Sequence, residues 1–375
     1  MQKTSQRVGS FDVLKILAIL AIIIHHYALW SGWNFSSGFQ LNKLAAQTLL
    51  IGGKLGVNIF VMITGYFLIS SIPKIRSLFQ VWVETTLISL IIYFFLVFNP
   101  DIGFHFEWKE FIFRLFPVVF GKYWFVTSYT LMYFCIPAIN KLMVSTDIKK
   151  IKQVLIFSFI IFSPYTFIYY NKGLNFSHPV WFLFLYAIGA YIKLNEKNIK
   201  KIKMFPLFTM NILMLLIGIG INISLQIIFA NKDSFFGNVF NALGWNETIF
   251  YTRDSSPYLL IFAVLIFVFF LKLQIRPRKI YSFVARASFG VYLIQSSQWF
   301  STEYLWPILV KGSQFDSGKN IVLYGFFISI LIFLTGIVIY IVLLPVINVV
   351  MHLFSTPLHH LQEKVFGTKE KKNGF

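Results

Sequence analysis

Apolar residues run through this chain in long, nearly unbroken stretches separated by short polar clusters. Many of the stretches are long enough to cross about 30 Å of hydrocarbon as helices. Ten spans are expected, approximately Phe11 to Trp30, Leu50 to Ser70, Phe79 to Phe98, Tyr123 to Ile139, Val154 to Tyr170, Val180 to Lys193, Phe205 to Phe229, Tyr258 to Leu271, Val284 to Thr302 and Ile321 to Val350. The sixth and eighth are the shortest. Against this background the polar exceptions stand out. The first run, FDVLKILAILAIIIHHYAL, holds Asp12, Lys15, His25 and His26. Eleven residues at about 100° each make about three turns, so Lys15 and His26 share one helix face about 16 Å apart, with Asp12 within about 60° of Lys15. Ionisable groups on one stripe of a membrane helix mark a functional-site candidate.

Composition supports the same class. Hydrophobic residues make up 57% of the 375 and charged residues 13%, with a mean hydropathy of +0.71. A water-soluble domain of this size does not sustain such values. The expected fold is all-α, a polytopic membrane bundle over residues 1–350 followed by a short tail, 351–375, that is amphipathic and then lysine-rich. With a cytoplasmic N-terminus, alternate loops collect Lys3, Arg7, Lys74, Arg76, the Lys141 to Lys152 group, the Lys193 to Lys203 group, Lys272, Arg276, Arg278, Lys279, Arg286 and the C-terminal lysines. These are 22 of the 33 Lys and Arg; ten fall on the other side and Lys15 lies in the membrane. The bias places both termini in the cytoplasm. It also accounts for the net charge of +19 without nucleic acid, through topology and anionic lipid headgroups.

A lone Cys135 provides neither a disulfide framework nor a cysteine-rich metal site. His105, His178, His352, His359 and His360 lack ligand spacing, so no metal is expected. The first apolar run is of full spanning length with no small-residue cleavage pattern after it, so it is expected to be retained. No repeat or linker divides the chain, and chemistry must come from the bundle and its loops.

Four blocks carry a resemblance: FDVLKILAILAIIIHH (Phe11 to His26), LGVNIFVMITGYFLI (Leu55 to Ile69), KYWFVTSYTLMYFCIPAINKL (Lys122 to Leu142) and ARASFGVYLIQ (Ala285 to Gln295). Together they resemble membrane acyltransferase family 3. The resemblance implies a membrane enzyme of about ten spans that carries acyl groups, usually acetyl, from cytoplasmic acyl-CoA to sugars of extracytoplasmic glycans. The family's first helix has a basic residue, ten intervening residues and a histidine, here Lys15 and His26 with His25 beside it. Arginine is usual at the basic position; lysine keeps the charge but loses the planar fork. Gly56, Phe60, Gly65 and Tyr66 fit the second block, with Thr64 where serine is common, and small residues there allow close helix approach. Ser288, Phe289, Gly290 and Tyr292 fit the last block, but Gln295 replaces its histidine and supplies a hydrogen-bonding group instead.

Moving an acetyl group from a thioester to a sugar hydroxyl requires a base, and histidine titrates near working pH. His26 can act as that base or be acylated itself, and the residues alone leave both routes open. Tyr292, Gln295 and Lys15 are candidate donors to the thioester oxygen. Lys15, Arg76 and Arg286 are candidates for gripping acetyl-CoA, the last two together with Lys272, Arg276, Arg278 and Lys279, or else for anchoring headgroups. Asp12 can pair with Lys15 or with first-turn amides, and Glu84 with Arg76 or Lys74 or in catalysis. Aromatic and polar residues in the loops Ser31 to Leu49, Asn99 to Lys122 and Ala230 to Pro257 suit sugar rings and equally an interfacial belt.

The expected activity is therefore O-acetyl transfer to a capsular, exopolysaccharide, teichoic-acid, peptidoglycan or lipid-linked glycan at a bacterial plasma membrane, either by the bundle alone or with a separate extracytoplasmic transferase. Two competing readings are succinyl transfer and transport of a lipid-linked glycan, in which Asp12, Lys15 and His26 would relay protons or hold charge. A receptor or scaffold without activity is a third.

Overall fold

The structure is a computed structural model that describes residues 9–99, 102–169, 176–231 and 233–366. Lys3, Arg7, Lys172, Lys232, Lys369, Lys371 and Lys372, which enter the charge bias, lie outside the described residues, as does the tail from 367 onward. Among the described residues there is no strand. The helices in chain order are α1 (Gly9–Trp30), α2 (Leu41–Leu49), α3 (Gly52–Leu68), α4 (Ile75–Val97), α5 (Trp108–Leu115), α6 (Trp124–Ser145), α7 (Ile148–Ile160) and α8 (Thr166–Ile168). They continue as α9 (His178–Leu194), α10 (Glu196–Ile199), α11 (Met204–Ala230), α12 (Phe235–Ala242), α13 (Ile249–Thr252), α14 (Pro257–Lys272), α15 (Lys279–Gln295), α16 (Ile321–Leu353) and α17 (Ser355–Phe366).

Local chemistry sets several of the boundaries. Asp147 caps α7 by accepting from the Lys149 amide at 2.8 Å, and Ser256 caps α14, whose first residue is Pro257. Pro164 has no amide proton to donate, and around it the backbone widens into a π-helical turn, Ile161–Tyr165, that joins α7 to α8.

A helix stands at each of the ten expected positions. By length and apolarity, six stretches of the described residues qualify to cross a membrane: Gly9–Trp30, Leu41–Leu68, Ile75–Val97, Ile148–Ile168, Met204–Ala230 and Ile321–Leu353. The helices α9, α14 and α15 have 17, 16 and 17 residues. The helix α6 has 22 but carries Thr127, Ser128, Thr130 and Asn140 among its apolar residues. The ninth expected span also ends early, at Gln295 rather than Thr302. Ser301 Oγ donates to the Gln295 carbonyl at 2.8 Å, and Trp299 adopts a φ of 55° before a π-helical segment, Phe300–Val310. The turn thus breaks the helix where the apolar pattern alone would continue it.

Side chains facing outward on α11 and α16 are overwhelmingly apolar. Leu323, Phe327, Leu331, Leu334, Val338 and Val342 along α16 are all exposed. Water would penalise such a surface and lipid would not. The protein is a multi-pass membrane protein.

The helix α1 lies at the centre, packed by α2, α3, α14, α15 and α16. It meets α3 antiparallel through a seam of small residues: a Cβ added to Gly52 would lie 2.3 Å from the Ala21 carbonyl oxygen, and one on Gly56 would lie 2.7 Å from that of Ala18. The α3–α9 seam is as close. A Cβ on Gly65 would sit 2.1 Å from the Tyr186 oxygen, and one on Gly189 2.0 Å from that of Met62. With α15 the direction is parallel, because Gly9 abuts Ile275 and Arg276 at one end while His26 meets Gln295 at the other. These two ends, the Gly9 end and the His26 end, organise the site.

Candidate active site

His26 occupies the last turn but one of α1. Its Nδ1 is hydrogen-bonded to Oε1 of Gln295, which is fully buried at the end of α15. The amide oxygen has no proton to give, so Nδ1–H donates and Nε2 is the basic nitrogen of the ring. The indole of Trp30, one turn further along α1, stacks on the imidazole with centroids 4.1 Å apart and planes at 22°. One face and one nitrogen of His26 are thus held by neighbours that do not titrate.

His25 is fixed differently. It is buried in the α1–α3 seam, its Nδ1 is 2.7 Å from the Leu50 carbonyl oxygen, and a Cβ on Gly53 would lie 2.4 Å from its ring. The two imidazole centroids are 5.5 Å apart. Both histidines line one cavity of about 490 Å³, together with Tyr292, Lys54, Lys122 and Trp124. Tyr292 is buried, its ring 5.5 Å from that of Phe125. The structure thus brings together four of the residues singled out in the sequence: His25, His26, Tyr292 and Gln295.

Lys15, Arg76 and Arg286 stand apart from them. Lys15 is three turns from His26 along α1, about 16 Å toward the Gly9 end, and is not on the cavity wall. Arg76 is exposed in the first turn of α4, and Arg286 is exposed on α15 with its guanidinium 6.0 Å from the Phe283 ring. Asp12 is buried near the start of α1. Glu84, also buried, accepts from Gln80 Nε2 at 2.8 Å and from the Tyr340 hydroxyl at 3.1 Å. Its hydrogen bonds therefore come from α4 itself and from α16 rather than from Arg76 or Lys74.

Sequence reasoning missed a second polar group on the cavity. Lys54, in the first turn of α3, places Nζ 2.8 Å from Asp254 Oδ1 and 4.4 Å over the Trp124 ring. His178, at the start of α9, places Nε2 3.2 Å from Asp254 Oδ2 and its ring 4.7 Å from that of Trp124. Burial raises the pKa of Asp254, but Lys54 and His178 more than reverse this and hold it down to about 2. Lys122, before α6, pairs with Glu110 at 2.8 Å, and Arg114 approaches the same carboxylate at 3.4 Å. Burial likewise works to raise Glu110, and these two cations outweigh it and lower its pKa. The available signal was position: Lys54 lies immediately before the second block, and Trp124 lies within the third.

The cavity can therefore present an imidazole to a hydroxyl, an aromatic wall to a ring, and ammonium groups to negative charge. No curated protein and no solved structure matches the chain. An acyltransferase domain model matches residues 8–347, a range that takes in α1, α3, α6 and α15 and so every residue of the cavity wall. The cavity described above is thus part of an acyltransferase fold, and the chain belongs to the acyltransferase 3 family.

Proposed function

We propose that the protein is an integral membrane O-acetyltransferase that moves an acetyl group from cytoplasmic acetyl-CoA to a hydroxyl of a cell-surface or exported glycan, with His26 as general base. The observation that carries this reading is the Nδ1 bond from His26 to Gln295, which fixes the tautomer and leaves Nε2 basic in a ring that lines the cavity. In the reaction Nε2 takes the acceptor hydroxyl proton as its oxygen bonds to the thioester carbonyl carbon. Gln295 Oε1 stabilises the imidazolium that results. Collapse of the tetrahedral intermediate breaks the C–S bond, and His26 returns the proton to the departing thiolate. Tyr292, on the same cavity wall, then donates to the oxyanion.

Ten spans with both termini cytoplasmic put the His26 end toward the outside and the Gly9 end toward the donor. Lys15, Arg76 and Arg286 then act on the acetyl-CoA side. The cell membrane of a bacterium is the setting that this topology and a glycan acceptor suit.

The test is NMR of surface polysaccharide from cells carrying the wild-type protein, carrying His26→Ala at matched membrane abundance, or lacking the protein. Loss of the O-acetyl signal in both altered strains is expected and identifies the acceptor sugar. Unchanged O-acetylation would overturn the acetyl assignment, and labelled acetyl-CoA consumption by purified protein then separates another acyl donor from a transporter.

A further inference from the structure

The cavity beside His26 carries a charge asymmetry that transfer to a neutral hydroxyl does not require. Among the described residues, its wall includes Lys54 and Lys122 with the two histidines, and no Asp or Glu. The acids that pair with the lysines stand behind the wall. Asp254 lies 2.8 Å from Lys54, and Glu110 lies 2.8 Å from Lys122 while also holding Arg114 at 3.4 Å. Three cations, Lys54, Lys122 and Arg114, thus meet two acids, Asp254 and Glu110. Their side chains are 19%, 17% and 6% exposed. Among the described residues one positive charge is left over in a setting largely removed from water, before His178 on Asp254 is counted. Glu303, beside the wall residue Thr302, is exposed and is not part of the wall.

A half-buried cation without a full counter-charge is costly, and an anion that enters the cavity removes the cost. Each ammonium has three donors, so pairing with the acid behind it leaves Lys54 and Lys122 with protons for a second acceptor. Lysines act as point charges, which suits the tetrahedral oxygens of phosphate better than bidentate carboxylate recognition. Lys54 is also pre-positioned, between Asp254 and the Trp124 face. Gly53, the residue before it, touches the His25 ring and so ties the ammonium's helix turn to the histidine pair.

We infer that the cavity binds a phosphate group carried by the acceptor, clasped by Lys54 and Lys122 while a neighbouring hydroxyl reaches His26. This rests on the acyl-transfer reading and narrows its acceptor to a phosphorylated or phosphodiester-linked glycan.

The experiment uses the full-length protein in phosphatidylcholine nanodiscs, with glucose 1-phosphate and methyl glucoside as probes and tryptophan fluorescence as the readout, since Trp30 and Trp124 line the cavity. Glucose 1-phosphate is expected to bind at least on the order of tenfold more tightly than methyl glucoside, with the difference shrinking as salt is added. Lys54→Gln and Lys122→Gln each lose about tenfold for glucose 1-phosphate, Lys54→Arg restores most of it, and methyl glucoside is unaffected. Equal binding of the two sugars overturns the inference. Loss of acetyl-CoA binding in the glutamine variants, with glucose 1-phosphate binding intact, assigns the anion to the donor and also overturns it. Abolition of glucose 1-phosphate binding by phosphatidylglycerol in the nanodisc assigns the site to a lipid headgroup and overturns it as well. His26→Gln keeps phosphate binding while losing acyl transfer; retained transfer in that variant sinks the base assignment and leaves the phosphate measurement standing.

Discussion

The two ends of α1 solve different problems with the same kinds of residue. At the His26 end each polar side chain is held from behind: His26 by Gln295 and Trp30, His25 by the Leu50 carbonyl, and Lys54 by Asp254 and Trp124. Toward the Gly9 end Arg76 is exposed at the start of α4, and Arg286 is exposed near the middle of α15. Bond-making chemistry requires atoms held in a narrow range of positions, whereas holding a flexible polyanion requires charge within reach. On the function proposed above, substitution at the rigid end should act on turnover and substitution at the open end on donor affinity.

The largest break in that contrast comes from His26. His26→Ala is expected to lower kcat by on the order of 10²–10⁴-fold, while His25→Ala retains part of the activity, as judged by acyl transfer at matched protein level. Equal loss in both would place the chemistry on the pair rather than on His26. Next in size is the framework. Gly189→Val should cost about 3 kcal/mol or more, because even a Cβ would meet the Met62 oxygen at 2.0 Å; a fall in melting temperature and in membrane abundance checks it. Gln295→Leu is expected to lower kcat by about tenfold with KM for acetyl-CoA unchanged, because His26 loses the acceptor that sets its tautomer. By contrast, Arg76→Gln together with Arg286→Gln should raise KM for acetyl-CoA severalfold at nearly unchanged kcat; a fall in kcat alone would dissolve the division between the two ends.

The smallest effect belongs to Asp254. Its folded pKa, about 2, lies below the ordinary aspartate value of 3.8, so its ion pair contributes stability at pH values above the ordinary pKa. That contribution fades as pH falls from about 4 toward 2. Isotope-edited infrared spectroscopy should show the protonated carboxyl band only below about pH 3. A band already present at about pH 4 would mean that Lys54 and His178 do not hold it.

Helix positions were legible because an apolar run of spanning length has few alternatives in a chain this hydrophobic. His25 and His26 were legible because they interrupt such a run, and Tyr292 and Gln295 because they fall in the block Ala285 to Gln295 that resembles the family's last motif. The early end of α15 was not, since Ser296, Ser301 and Trp299 break the helix through hydrogen bonds and a left-handed φ that hydropathy does not register. Lys54, Asp254 and His178 escaped for another reason. They come from three segments far apart in the chain, and each alone reads as an ordinary loop charge or helix end. Only packing makes them one group.

The bond between His26 and Gln295 spans 269 residues of sequence. During synthesis the first helix enters the membrane long before α15 exists, and until α15 arrives the imidazole lacks the glutamine that chooses its tautomer. A chain stopped short of residue 295 can therefore fold its early helices and still leave the His26 ring without the partner that orients it. Insertion of the last third of the protein thus completes the setting of His26 with a contact that no earlier part of the chain supplies.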